Sequence, residues 1–324
     1  MTSTKEILAG IDIGGTKTAV LISAQPPEAI TRVEFPTRPA KGPQHAIGLI
    51  KKSLHEMLAA QGLTAASIIR LGVSCGGPLD RVKGLIQSPP NLPTWDDVPL
   101  KAILEEEFQV ECLIENDANA GAVAEHRFGA GQGCQNIVFL TMGTGLGAGI
   151  IADGRLYRGT IDLAGEIGHV RLTRSGPIGH NKAGSAEGWA SGGGMAQLAA
   201  QSVAEAQRKD KKTLLAEHVR TGKPISAREV GAAARKGDAV AIEILRSTGE
   251  RLGEVLAILV DVLNPERIVI GGLAMRLGDL LLDPARRVMR REALAQSARV
   301  CAVVPAALGE SIGDVAALAV AMGI

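Results

Sequence analysis

At 324 residues the chain is longer than one ordinary core, so two domains or lobes are the starting expectation. Its net charge of +1, from 35 Lys+Arg against 34 Asp+Glu, gives no general electrostatic hold on nucleic acid or an acidic membrane, and 2% aromatics argue against base-stacking platforms. With 46% hydrophobic residues, 21% charged residues and 40 glycines, the composition is that of a soluble globular protein with an aliphatic core and many tight turns.

Ile7–Ile13 is a short apolar run ending in Gly14–Gly15, and Thr18–Ser23 follows at once, which reads as strand, glycine turn, strand. The same run meets Asp12 after five apolar or small residues, which argues against a signal peptide. A helix over Gln44–Ala60, a strand over Ile68–Ser74 and a Pro-rich loop over Ser88–Pro99 come next. A helix at Leu100–Phe108, a strand at Glu111–Glu115 and a helix from Ala118 to Phe128 follow. Ile137–Thr141, a turn with Gly143, Gly145 and Gly147, and Ala148–Ala152 then repeat the opening plan at an offset of 130 residues, which suggests two lobes built alike.

The second half reads as helical over Met195–Arg208, Ala227–Arg235 and Ala239–Leu263, and the mixed charges of Glu205–Arg220 as a solvated helical face. Strand Arg267–Ile270 runs into Gly271–Gly272, and a strand at Val300–Val304 and a helix at Ile312–Met322 close the chain. Strands alternating with helices give an α/β protein with at least partly parallel sheets. The best apolar run, Val255–Leu263, is too short to cross a membrane and carries Asp261. Cys75, Cys112, Cys134 and Cys301 are widely spaced, without a CxxC pair, which argues against a disulfide framework or a cysteine-rich zinc site and for a reduced, cytoplasmic protein.

Two glycine patterns mislead. Gly10-x4-Gly15-Thr16-Lys17 has a threonine where a P-loop needs its lysine, and a strand rather than a helix follows; a strand also follows Gly143-x-Gly145-x-x-Ala148, unlike a dinucleotide fingerprint. A hairpin of glycines still cradles phosphate, because backbone N–H groups approach an anion closely there. Asp12, at the end of the first strand, would stand beside that phosphate and hold Mg²⁺ through water. Asp117 stands just before the small-residue helix that begins at Ala118, and reads both as its cap and as a general base.

DIGGTK at 12–17, ENDANA at 115–120, GTGLGAGI at 143–150 and GEIGH at 165–169, in this order, resemble the ROK family of sugar kinases and sugar-responsive repressors, from Ile7 to the last helix. The resemblance implies a two-lobed actin-like, ribonuclease H-like ATPase fold with a cleft between lobes, a small lobe of 1–117 plus 309–324 and a large lobe of 118–308. It implies ATP held by Asp12, Gly14, Gly15, Thr16 and Lys17 in one hairpin, by Gly143, Thr144 and Gly145 in the other, and by Gly271, Gly272 and Leu273 near the adenosine. Asp117 matches the base that takes the proton of a sugar hydroxyl, and Gly77, Asn91, Asn116, Glu166, His169 and Glu187 match the sugar contacts. The activity implied is transfer of the γ-phosphate of ATP, with Mg²⁺, to the 6-hydroxyl of a hexose or N-acetylhexosamine, by a homodimer that engages neither nucleic acid nor membrane.

The sequence departs from the family pattern after GEIGH. Most members carry CxCGxxGCxE, whose cysteines and histidine hold a structural zinc, whereas this chain reads GPIGHNKAGSAEGW at 176–189. Without thiolates, His169 and His180 are a poor substitute, and no structural zinc is expected. Three other readings compete. A sugar-sensing regulator needs a helix-turn-helix module before the first strand, for which the start near Ile7 leaves no room. A polyphosphate-dependent glucokinase would favour a basic groove, and a non-catalytic relic conflicts with intact Asp12, Asp117 and glycine loops.

Overall fold

A computed structural model of the chain describes residues 6–323. The chain folds as two compact units, one comprising the residues up to Gly133, Arg155–Ala164 and those from Leu308 onward, the other Cys134–Gly154 and Gly165–Ala307. The expected lobes change over at 117/118 instead. The observed boundary lies later because the helix that starts at Asp117 packs on the C-terminal helix and so stays with the first unit.

In the first unit, β1 (Ile7–Ile13), β2 (Lys17–Ser23) and β3 (Thr31–Pro36) form an antiparallel meander. After α1 (Pro43–Ala60), β4 (Ile68–Cys75) joins β1 in parallel; after α2 (Leu100–Phe108), β5 (Cys112–Asn116) joins β4 in parallel and leads into α3 (Asp117–Phe128). The sheet order is β3-β2-β1-β4-β5. Side chains alternate across a strand, and the two faces of β1 do different jobs. Ile7, Ala9, Ile11 and Ile13 join Ile47, Ile50, Leu54 and Leu58, spaced along one face of α1, in a single core.

The other face carries Gly10, which is the register partner of Gly72 on β4. Here the C-terminal helix Ile312–Ala321 lies on the backbone itself. A Cβ on Gly72 would stand 2.2 Å from Ala321 N and 2.3 Å from Ala317 O, and one on Gly10 would stand 3.1 Å from Ala317 Cβ.

The second unit repeats this plan. β6 (Ile137–Met142) and β7 (Leu146–Ala152) form an antiparallel hairpin. Helices α4 (Gly192–Arg208), α5 (Ala227–Arg235) and α6 (Ala239–Leu263) precede β8 (Arg267–Ile270), and α7 (Asp279–Glu292) precedes β9 (Ala302–Pro305). β8 pairs in parallel with both β6 and β9, giving the order β7-β6-β8-β9. An antiparallel hairpin whose first strand is followed across the sheet by two parallel strands thus recurs in both units, as the 130-residue offset suggests.

Several elements differ from their sequence-based bounds. Helix α4 starts at Gly192 rather than Met195, because the Ser191 hydroxyl accepts from Gly194 N and caps a turn of three glycines. The charged stretch Glu205–Arg220 is not one helical face, since α4 stops at Arg208 and a separate short helix spans Ala216–Arg220. Strand β3 and helix α7 are not foreseen from the sequence: β3 is a mostly exposed edge, and α7 contains Pro284 beyond its first turn. The four cysteines are free and buried, and among the described residues no helix is long and apolar enough to cross a membrane.

Gly72→Ala should cost about 3 kcal/mol, because the added methyl meets helix backbone that cannot swing aside. Gly48→Ala, on an exposed turn of α1 with open space around it, should instead stabilise by about 0.5–1 kcal/mol. Urea midpoints of the two variants decide, and equal midpoints would remove the close-packing argument.

Candidate active site

Parallel strands bring their carboxyl ends to one edge, where loops are free to carry chemistry. The register places Asp12, Ser74 and Glu115 in one row across β1, β4 and β5, and Ile13, Cys75 and Asn116 in the next. Asp12 is therefore enclosed by neighbours fixed by the sheet. Burial pushes its carboxyl up to about 6, and the negative charges of Asp117 and Asp314 push in the same direction; a hydrogen bond with Ser74 and the charge of Lys17 oppose them. The first turn of the C-terminal helix presses on the same group, since a Cβ on Gly313 would lie 2.2 Å from Asp12 Oδ2. Asp117 and Asp314 thus each make the ionisation of Asp12 more costly. Ser74 and Asp314 were not among the expected site residues; the β1–β4 register reveals the first, and the second lies far away in sequence.

The hairpin after Asp12 turns its carbonyls inward. Gly14 N donates to Lys17 O at 3.0 Å, Thr37 N donates to Thr16 O at 3.1 Å, and Thr37 Oγ1 donates to Gly14 O at 2.6 Å. No backbone carbonyl takes the N–H of Gly15 or Thr16 among the described residues. Such a turn presents N–H groups to an anion. Lys17 is the exposed first residue of β2 and pairs with Glu34 at 2.9 Å.

The Pro-rich loop lies over this hairpin, with Asn91 O 2.5 Å from where a Cβ on Gly15 would be. Gly77 faces Asn116 Nδ2, 3.1 Å from its own would-be Cβ. The structure therefore gathers Gly77, Asn91 and Asn116 around the same edge as Asp12.

Capping of α3 falls chiefly to Asn116, whose Oδ1 accepts from Ala118 N at 3.0 Å. Asp117 is the first helical residue; its Oδ1 also accepts from Ala118 N, at 2.9 Å, and the side chain is exposed. The expectation that Asp117 is the cap is thus corrected to a shared role. The fold beneath is held by Glu115, 2% exposed, whose carboxylate accepts from Asn116 N, Asn119 Nδ2 and Arg158 Nε at 2.9–3.0 Å.

The second unit builds the same kind of turn. Gly143 N donates to Gly145 O at 3.0 Å, while the first amides of α4 tie down the hairpin carbonyls: Gly192 N to Gly143 O at 2.8 Å and Gly193 N to Thr144 O at 3.0 Å. Among the described residues the N–H groups of Thr144 and Gly145 meet no backbone acceptor. Gly272, at φ 64°, sits against this turn, where a Cβ would lie 2.2 Å from Met142 O. Gly271 N donates to Leu140 O at 2.9 Å, and Leu273 opens the short helix Leu273–Leu277.

Glu166 and His169 bracket a single helical turn, with Oε2 and Nε2 3.8 Å apart. The segment that lacks cysteines forms a small hairpin, Ile178–Gly179 against Lys182–Ala183, turning at His180 and Asn181, which both have positive φ. His180 packs edge-on to His169 with ring centroids 4.5 Å apart, and Lys182 Nζ donates to His169 O at 2.7 Å. Trp189 Nε1 donates to Thr173 Oγ1 at 2.7 Å, and Arg251 lies 5.0 Å above the Trp189 ring. Among the described residues, no three His, Cys, Asp or Glu side chains converge as metal ligands. Glu187 Oε2 accepts from Leu146 N at 3.1 Å, beside the second hairpin.

Twin α/β units, each with a glycine hairpin carrying two amides without a backbone acceptor, define the two-lobed actin-like class of ATP-binding folds. The ROK family model matches residues 8–323, and the chain belongs to the ROK family. It is 33% identical over 94% of its length to 91% of a protein named glucokinase from Halalkalibacterium halodurans. It is also similar to the crystal structure of a ROK family glucokinase from Streptomyces griseus in complex with glucose and AMPPNP, with a TM-score of 0.77 and 32% identity over 98% of this chain and 99% of that one. A ROK hexokinase structure from Thermus thermophilus matches with a TM-score of 0.80 and 28% identity over 98% of each chain.

Two outcomes follow from this geometry. Folded Asp12 keeps its proton to about pH 6, whereas an unfolded aspartate releases it near 4, so the fold binds more protons between these values and loses stability as pH rises through them. Asp12→Asn should therefore gain on the unsubstituted protein between pH 4 and 6.5 and hold that gain above; a pH-independent difference in urea midpoint would refute it. Purification without chelators should give protein with far less than stoichiometric zinc, and EDTA should leave its melting temperature unchanged.

Proposed function

We propose that the protein is an ATP-dependent sugar kinase that transfers the γ-phosphoryl group to the 6-hydroxyl of a hexose or N-acetylhexosamine. The observation that carries this reading is the pair of hairpins, each with its carbonyls tied back and two amides left without a backbone acceptor, on units of the same topology. The glucokinase relative and the glucose–AMPPNP complex of a 32%-identical neighbour support the choice of donor and acceptor.

In this reading the amides of Gly15, Thr16, Thr144 and Gly145 hold the phosphates, with Asp12, Gly14, Lys17 and Gly143 completing the two turns. Gly271, Gly272 and Leu273 lie along the adenosine. Gly77, Asn91, Asn116, Glu166, His169 and Glu187 engage the sugar; the charged acceptors among them penalise analogues that lack the matching hydroxyl. Asp117, exposed at the start of α3, takes the proton of the 6-hydroxyl as that oxygen bonds to the γ-phosphorus and the bond to ADP breaks. Mg²⁺, held through water by Asp12, would neutralise charge on the phosphates. A reducing, cytoplasmic setting fits four buried free thiols, and a homodimer completes the reading.

An ADP-release assay with ATP, Mg²⁺ and a panel of hexoses and N-acetylhexosamines tests it, with polyphosphate as a second donor. Asp117→Ala should lower turnover by about 10²–10⁴-fold on the accepted sugar while AMPPNP binding survives. Near-normal turnover in that variant would remove Asp117 from the role of base, and no turnover on any sugar in the unsubstituted protein would overturn the kinase reading.

A further inference from the structure

Glu187 is poorly explained as a sugar contact alone. It sits in the short helix Ala186–Trp189, whose cap Ser185 accepts from Gly188 N, and one of its oxygens is already committed. Oε2 accepts from Leu146 N at 3.1 Å, at the first residue of β7 and immediately after the second glycine hairpin. The approach is close enough to dictate a neighbour's side chain: a Cβ on Gly145 would lie 2.5 Å from the same Oε2. Two further glycines clear space around the base of the side chain, since Cβ atoms on Gly179 and Gly168 would stand 2.8 and 3.4 Å from Glu187 Cβ. Meanwhile α4 holds the other side of the hairpin through Gly192 N and Gly193 N. Glu187 therefore braces the turn opposite α4, and among the described residues its Oε1 accepts no hydrogen bond.

We infer that Glu187 is a positioning residue for the second phosphate-facing hairpin, so that one carboxylate couples the nucleotide site to the sugar site. The inference rests on the kinase reading for the identity of the two ligands. Its physics is simple. The bond to Leu146 N fixes the turn whose free amides receive the triphosphate, but the bare negative charge opposes that polyanion. A sugar hydroxyl donating to Oε1 spreads the charge while leaving the brace in place. Sugar should then tighten nucleotide binding, and by linkage nucleotide should tighten sugar binding by the same factor.

Calorimetric titration of Mg·AMPPNP into the full chain, first with no sugar present, separates this from a plain sugar contact. Glu187→Gln keeps an acceptor for Leu146 N and loses the charge, so its affinity should equal or exceed that of the unsubstituted protein. Glu187→Ala loses the brace and should bind about tenfold more weakly. Gly145→Ala, which displaces the carboxylate while retaining it, should resemble Glu187→Ala and serves if that variant fails to fold. Adding the accepted sugar should tighten AMPPNP in the unsubstituted protein and in neither Glu187 variant. Equal sugar-free affinities in all four proteins, within twofold, would overturn the coupling while leaving the kinase reading standing. Failure of the unsubstituted protein to bind AMPPNP would overturn both.

Discussion

The close approach of the C-terminal helix to Gly10 and Gly72 is the constraint on which the first unit turns. An alanine-rich helix, VAALAVA at 315–321, sets only the small residues Ala317 and Ala321 against Gly72, and two glycines in register leave the sheet equally bare. Backbone therefore meets backbone, and the helix cannot slide without steric conflict. Its first turn is thereby set against Asp12, with Gly313 touching the carboxylate and Asp314 adding charge to the same region. The same packing explains why residues from the chain's end belong with its beginning. It also explains why a carboxylate at a strand end, ordinarily solvated, is held in surroundings that resist its ionisation.

That resistance is unfavourable electrostatics kept in place by the packing. Asp12 would be more comfortable neutral, and the fold keeps Asp117 and Asp314 within electrostatic reach of it rather than dispersing them. The END segment shows the complementary strategy. Its buried member, Glu115, is fully engaged by Arg158, Asn119 and the Asn116 amide, so its charge is spent on structure. Because Glu115 anchors β5 and Asn116 caps α3, Asp117 emerges at a fixed point and remains exposed. Three consecutive polar residues thus divide into a buried anchor, a helix cap and an exposed carboxylate, a division set by strand alternation followed by the start of a helix.

Much of this was readable in the sequence because it rests on local rules. The two hairpins follow from apolar runs broken by glycines, and α6 from a long periodic run, so their bounds differ little from those observed. The ordered motifs led to Asp12, Gly77, Asn91, Asn116 and Asp117, which the first unit does bring to one edge. What escaped the sequence depends on tertiary partners. Pro284 argues against a helix, yet α7 accommodates it against α6, where Gly249 leaves room: a Cβ there would lie 2.6 Å from Pro284 Cγ. Strand β3 does alternate, Val33 and Phe35 with Arg32 and Glu34, but it is a short, mostly exposed edge recognised as a strand only through its pairing with β2. Asp314 joins Asp12 only through the long return of the chain, and no spacing rule reaches that far.

The cysteine-free segment shows how the same position is held by different means. A closed thiolate–zinc site supplies on the order of 10 kcal/mol to its surroundings, whereas individual hydrogen bonds supply about 1 kcal/mol each. The bonds of Lys182 to His169 O and of Trp189 to Thr173, with Arg251 over Trp189, sum to only part of that. Rigidity must then come from geometry as well as from bonding. The turn at His180–Asn181 uses two positive-φ residues, and Gly179, Gly188 and Gly194 pack so closely that added methyls would strike backbone atoms. Ordering glycine costs more backbone freedom than ordering any other residue, but close packing of these backbones leaves few alternative registers once formed. Glu187 lies near the end of this segment, and its aim is fixed by the close approach of Gly179 and Gly168 to its Cβ and by the bond from Leu146 N.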